Sequence, residues 1–137
     1  MVPATIAWDA CECGTLAIAA QRFYLTMAFP TAASDVQVTV PCRSGFLAAD
    51  LVVQVLRCAP QPVGTDLAPS CDALSISAEQ VSVDAWTVMN TVQCLLDELR
   101  STDQIVDYLV RNQLFAGPAG GCVGSELSIT IAVEQAA

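Results

Sequence analysis

The chain has 137 residues, 54% of them hydrophobic and only 14% charged, with a formal charge of −9. That length suits a single domain over 1–137, and the charged share lies well below the usual figure of about 25%. Fourteen acids face five arginines (Arg22, Arg43, Arg57, Arg100 and Arg111) with no lysine and no histidine, which excludes a protein that grips nucleic acid by neutralising phosphates and points to surface buried against partners.

The opening MVPATIAWDACECG has neither the basic nor the apolar region of a secretory leader. The apolar run GTLAIAAQRFYLTMAF is interrupted by Gln21 and Arg22, and it falls short of the roughly 20 residues of a membrane span. The expectation is a soluble protein made in the cytoplasm. Within that run Leu16, Ile18, Ala20 and Tyr24 alternate, which predicts a strand over 15–25. FPTAAS breaks it. DVQVTV then alternates cleanly, with Val36, Val38 and Val40 against Gln37 and Thr39, and predicts a second strand. Pro41 and Gly45 mark the next turn. Asp50 to Cys58 is rich in Val and Leu and reads as a long central strand, stopped by Pro60 and Pro62.

Residues 59–76 hold three prolines and a glycine and read as an irregular, functional loop. The next element is a helix over about 78–100. Ser77 to Gln80 reads as a capping box, and Glu79 and Arg100 sit where the helix dipole favours them. Val81, Ala85, Val88, Met89, Val92, Leu95, Leu96 and Leu99 recur at three- and four-residue steps as one apolar face. Trp86 falls between faces, as core edge or partner contact. Residues 105–114 admit two readings: a second helix capped by Ser101 to Gln104, or a strand through Val106, Tyr108, Val110 and Leu114. The strand is preferred. A glycine loop over 117–124 then leads to a final strand, in which Leu127, Ile129, Ile131 and Val133 alternate with Ser128, Thr130 and Ala132. The order β-β-β-α-β-β predicts an α+β fold, an antiparallel sheet of about five strands packed against one long helix.

The stretch LFAGPAGGCVGSELSITIAV resembles a phosphate-binding loop only in glycine content. It lacks the lysine that would meet the phosphates, and a strand follows it where a nucleotide loop opens a helix. The seven cysteines are Cys11, Cys13, Cys42, Cys58, Cys71, Cys94 and Cys122. An odd number argues against a complete disulfide framework. Cys11-Glu12-Cys13 is too tight for a zinc knuckle, and no histidine completes a mixed site; a four-cysteine site gathered from loops is the remaining metal possibility. Cys58 and Cys94 read as small core residues, while Cys42 and Cys71 flank loops and could pair in an oxidising compartment. The carboxylates Asp9 and Glu12, or Asp97 and Glu98, show no catalytic spacing. Cys42 stands beside a cation, Arg43. The expectation is no catalytic residue, no cofactor and no metal.

Four phrases carry a resemblance: AWDACECGTLAIAA, VLRCAP, DAWTVMNTVQCLL and AGPAGGCVGSELSITIAV. The most specific is GP-x-GGC-x-G-x-E, present as Gly117, Pro118, Gly120, Gly121, Cys122, Gly124 and Glu126. Together they resemble small neck proteins of long-tailed actinobacteriophages, of the tail-terminator or head-to-tail connector type. The resemblance implies a virion protein, assembled in the host cytoplasm, whose sheet and helix join a ring that caps the head-proximal end of the tail tube. The ring would be a homohexamer, contacting tail tube protein on one side and a stopper or connector on the other. Genome DNA would pass through the lumen without tight binding. One departure is the absence of the helix that commonly precedes the first strand in tail terminators, which keeps other neck rings open as alternatives. A monomeric ligand-binding module using the 59–76 loop is the alternative from another class. Candidate interface residues are Arg43, Arg57, Trp86, Gly117, Gly120, Gly121 and Gly124. The glycines would shape a tight connection where subunits approach, or simply an ordinary hairpin.

Overall fold

The structure is a computed structural model, and it describes residues 14–61, 68–119 and 121–135. Among the described residues, four strands and one helix run in the order β1 (Thr15–Thr26), β2 (Phe46–Cys58), α1 (Cys71–Ser101), β3 (Asp107–Ala119) and β4 (Cys122–Glu134). They form one antiparallel sheet with strand order β1-β2-β4-β3. β4 therefore separates β2 from β3, which run parallel to each other and are joined over α1. The α+β class holds, with four strands in place of the expected five. The readings of residues 1–13, and with them Asp9, Glu12, Cys11 and Cys13, lie outside the described residues.

The missing strand is DVQVTV. Its valines alternate, but no sheet edge receives them. Backbone bonds fold the segment into turns instead, Asp35 N–H to the Ala32 carbonyl at 3.0 Å and Val38 N–H to the Ala33 carbonyl at 2.9 Å. Gln37 takes a left-handed φ of 55°. The loop buries its small residues, Ala32 and Ala33, and leaves Val36 and Val38 exposed. Alternation marks a strand only where a partner edge exists to satisfy its ladder.

The helix begins earlier than its capping box suggests. Ser70 is the N-cap, its Oγ accepting the Ala73 N–H at 3.1 Å. Asp72, not Glu79, lies in the first turn, and Arg100 lies in the last. Ser77 to Gln80 sits inside the helix. The true start has its own signal, Pro69-Ser70 followed by Asp72.

One core lies between α1 and the sheet. Val53, Leu96, Ile105, Leu127 and Ile129 are buried there, with Val88, Met89, Val92, Leu99 and Val110 packed around them. Two expected core residues miss it: Leu95 and Cys94 are exposed, and Cys58 is half-buried. On the opposite face a polar row crosses all four strands. Arg22 on β1 donates to Asp50 on β2 at 3.0 Å, Thr130 on β4 donates to the same carboxylate at 2.7 Å, and Arg111 on β3 donates to Thr130 at 2.8 Å. Each edge strand is thus tied by an arginine to the centre of the sheet.

Next to this row Tyr24 packs on Ala32 and Ala48, and its hydroxyl donates to the Pro30 carbonyl at 2.8 Å. Burial, and then the Asp50 carboxylate, raise its pKa above the ordinary 10.0. A raised pKa means that the folded state holds the proton more tightly. The associated stability is complete below the unfolded value and is lost as pH rises through the folded one. Tyr24→Phe is expected to cost about 1 kcal/mol at neutral pH through the lost hydrogen bond. It should also flatten the alkaline decline of the unfolding midpoint. Denaturant titrations at neutral pH and above pH 10.0 measure both effects, and an unchanged alkaline slope would remove Tyr24 as its source.

Candidate functional site

The candidate interface residues divide between two ends of the fold. Arg43 lies exposed in the loop joining β1 to β2 with a left-handed φ of 62°, and no ion pair to it is found among the described residues. Arg57, near the end of β2, does not reach outward. It binds Asp84 of α1 through two nitrogens, Nε to Oδ2 and Nη2 to Oδ1. That hydrogen-bonded carboxylate raises the guanidinium pKa further. Arg57 therefore clamps helix to sheet within its own chain. It finds the carboxylate partner that arginine geometry favours on its own chain.

The glycine run is a hairpin with a shorter turn than expected. Pairing continues to Ala119 opposite Cys122, so 117–119 and 122–124 belong to strands. Gly117 has φ 100° and a cis bond to Pro118; Gly121 has φ 78° in the turn itself. Gly120 lies outside the described residues. Gly124 sits in β4 opposite Leu56 of β2. A Cβ there would lie 2.9 Å from the Val55 carbonyl carbon and 3.0 Å from the Leu56 Cα, with the Val55 oxygen closer still. Its close approach is to a strand of the same chain.

Trp86 is 68% exposed. It precedes Asp97 by eleven residues, three turns, and so shares its flank of α1. Asp97 accepts from the Tyr108 hydroxyl on β3 at 3.3 Å, which puts Trp86 on the β3 side. Phe115 and Leu114 of β3 are 63% and 57% exposed. The β3 edge thus carries apolar surface.

The β1 edge carries more, and the sequence reading passed over it. Leu16 pairs with Val55, Ile18 with Val53, Phe23 with Ala49 and Leu25 with Leu47. Directly opposed residues share a face, so these side chains point to the α1 side. The helix lies over β4 and β3, reaches β2 and leaves β1 uncovered. Leu16, Ile18 and Phe23 are each more than half exposed, and Leu25 and Leu47 somewhat less. The signal was present: TLAIA is apolar on both parities, as in a strand covered on both faces.

A groove of about 610 Å³ opens between the first turns of α1 and the β3–β4 hairpin, lined by Pro60, Pro69, Leu74, Val81, Phe115 and Pro118 among others. Among the described residues, its lining includes no ionisable side chain. No three His, Cys, Asp or Glu side chains gather into a metal-binding group among the described residues. No described helix is long and apolar enough to cross a membrane.

No family model, curated protein or solved structure matches the chain.

Proposed function

We propose that the chain is a structural subunit of a phage neck, a tail terminator that assembles as a ring, expected to be a homohexamer, on the head-proximal end of the tail tube and joins it to a stopper or connector. It does no chemistry in this reading. The observation that carries it is apolar surface exposed at both outer edges of one sheet, Leu16, Ile18 and Phe23 at β1 and Leu114, Phe115 and Trp86 at β3. Two different edges that complement each other make a head-to-tail contact, which closes into a ring when the rotation allows. Strand direction favours it too. β1 runs opposite to β3 within the chain, so a neighbour placed by rotation about an axis along the strands sets its β3 antiparallel to β1. The GP-x-GGC-x-G-x-E motif and its neighbouring phrases support the specific neck assignment. Other neck rings, stopper or connector, share the geometry.

The test is the mass of the purified protein by native mass spectrometry, with and without tail tube protein. A closed oligomer, alone or on addition of tail tube protein, is expected. A monomer at high concentration that ignores the tube would overturn the reading. Passage of DNA adds a second expectation. Arg22, Arg57 and Arg100 are each held by acids of their own chain, leaving little cationic surface. A gel-shift assay should detect no binding of free duplex at physiological salt, for wild type or for Arg43→Ala and Arg57→Ala. Tight, salt-sensitive binding lost in those variants would refute the passive channel.

A second reading has one observation behind it. The groove at Pro60, Pro69 and Phe115 is built partly from the 59–76 segment and lies within the size range of ligand pockets, about 300–1,000 Å³. A monomeric protein that enhances the fluorescence of an apolar dye, and loses this in Phe115→Ser, would favour a binding module.

A further inference from the structure

The sheet is wider than its cover. Four strands at a spacing of about 4.8 Å present a face of roughly 19 Å, whereas a helix is about 10 Å across. With α1 over β4 and β3, a trough one helix wide remains over β1 and the near side of β2. Its floor is Leu16, Ile18, Phe23, Leu25 and Leu47, exposed by 67%, 53%, 56%, 41% and 37%. None is charged. From Leu16 to Leu25 the floor runs about 30 Å, the length of about 20 helical residues. One wall is the flank of α1 that carries Leu95, Thr91 and Glu98, each exposed.

The chain's own helix fits this trough poorly. Val83 lies nine residues before the sheet-facing Val92 and so points away from the sheet. Ile76 and Trp86 flank it, giving an outward apolar stripe, but only on the first half of α1. Beyond it the outward positions are Asn90, Cys94 and Asp97, which would set polar groups against the apolar floor.

We infer that the trough is the docking site for an amphipathic helix of about 20 residues from a different protein, one whose polar face is basic. The apolar floor takes the apolar face, as in other helix-in-groove contacts. Charge sets the rest. Fourteen acids against five arginines, with three of those arginines already in ion pairs, give a field that attracts a cationic partner and repels an acidic one. Glu98 stands on the wall to meet it. The inference does not depend on ring closure: the ring would pair the free backbone edge of β1, whereas the helix would lie on the α1-side face of the sheet, although Leu16, Ile18 and Phe23 border both.

The test uses two synthetic helical peptides of about 20 residues with the same leucine face, one with lysines and one with glutamates on the polar face. Each is titrated by fluorescence anisotropy into the whole protein and into Ile18→Asp, Ile18→Ser and Val36→Asp. The lysine peptide should bind wild type at least about tenfold more tightly than its glutamate twin. Ile18→Asp and Ile18→Ser should each weaken it by about tenfold or more, and Val36→Asp should leave it unchanged. The Ile18→Asp variant separates the site from general attraction, because adding a negative charge would tighten a purely electrostatic complex. Tighter binding by Ile18→Asp, equal affinity for the two peptides, or no binding would overturn the inference. So would self-association of the wild type that shuts out the lysine peptide, since a second copy would then own the trough. A ring that forms and still binds the peptide leaves both proposals standing; a monomer that binds it sinks only the ring.

Discussion

Gly124→Ala is expected to cost about 3 kcal/mol or more, at the upper end of overpacking effects, and to lower the urea midpoint accordingly. The added Cβ meets backbone, not a side chain that could swing aside: the Val55 carbonyl group and the Leu56 Cα of β2. Relief requires β2 and β4 to separate, and these are the two central strands of the sheet. Gly121→Ala is the proper comparison. Gly121 has φ 78°, but the nearest atom to an added Cβ is Gln61 Nε2 at 3.9 Å. Its cost should be the left-handed penalty alone, about 1–2 kcal/mol. Equal destabilisation by the two changes would show that backbone conformation, and not the approach of β2 to β4, explains the glycines. A ring contact at Gly124 would give a different pattern, intact monomer stability with lost assembly.

Much of this architecture was legible in the residues. The alternation of Leu127, Ile129, Ile131 and Val133 found β4, and the three- and four-residue spacing from Val81 to Leu99 found the packed face of α1. Both are long and strongly periodic, and both are decided by local pattern. Where the pattern misled, the deciding fact was non-local. Val36 and Val38 alternate as a strand would, yet only an available sheet edge could make them one. Leu95 keeps helical spacing with Val92 and Leu99 but falls beyond the width that β2 supplies. The Ser77–Gln80 box is a valid cap in the wrong place, because Ser70 already caps the helix seven residues earlier. The assembly surfaces were the least legible. Trp86 was singled out by its type, but the exposure of Leu16, Ile18 and Phe23 depends on where α1 sits across the sheet. Arg57 shows the converse: an arginine that looks available in sequence is held by Asp84, 27 residues away.

Leu127→Ala is expected to lower stability by about 4–5 kcal/mol, the top of the range for buried leucine truncation. Leu127 is fully buried, on the central strand β4, in the cluster with Val53, Leu96 and Ile129. β2 on one side and β3 on the other fix the backbone around it, so the site has little freedom to collapse onto the cavity. Leu96→Ala removes the same atoms from the helix side of that cluster, where Leu96 retains 6% exposure. A helix can shift on a sheet more readily than a central strand can shift within one, so a smaller cost of about 2–4 kcal/mol is expected. Leu95→Ala, the adjacent residue, is 50% exposed and should fall within about 0.5 kcal/mol of wild type, as exposed substitutions usually do. The three variants are compared by denaturant unfolding of the isolated subunit, at a concentration low enough to keep it unassembled. The order Leu127, Leu96, Leu95 tests the facing of α1 directly. If Leu95→Ala cost as much as Leu96→Ala, the helix would have to be rolled toward β1, and the trough over Leu16, Ile18 and Phe23 would not exist in that form.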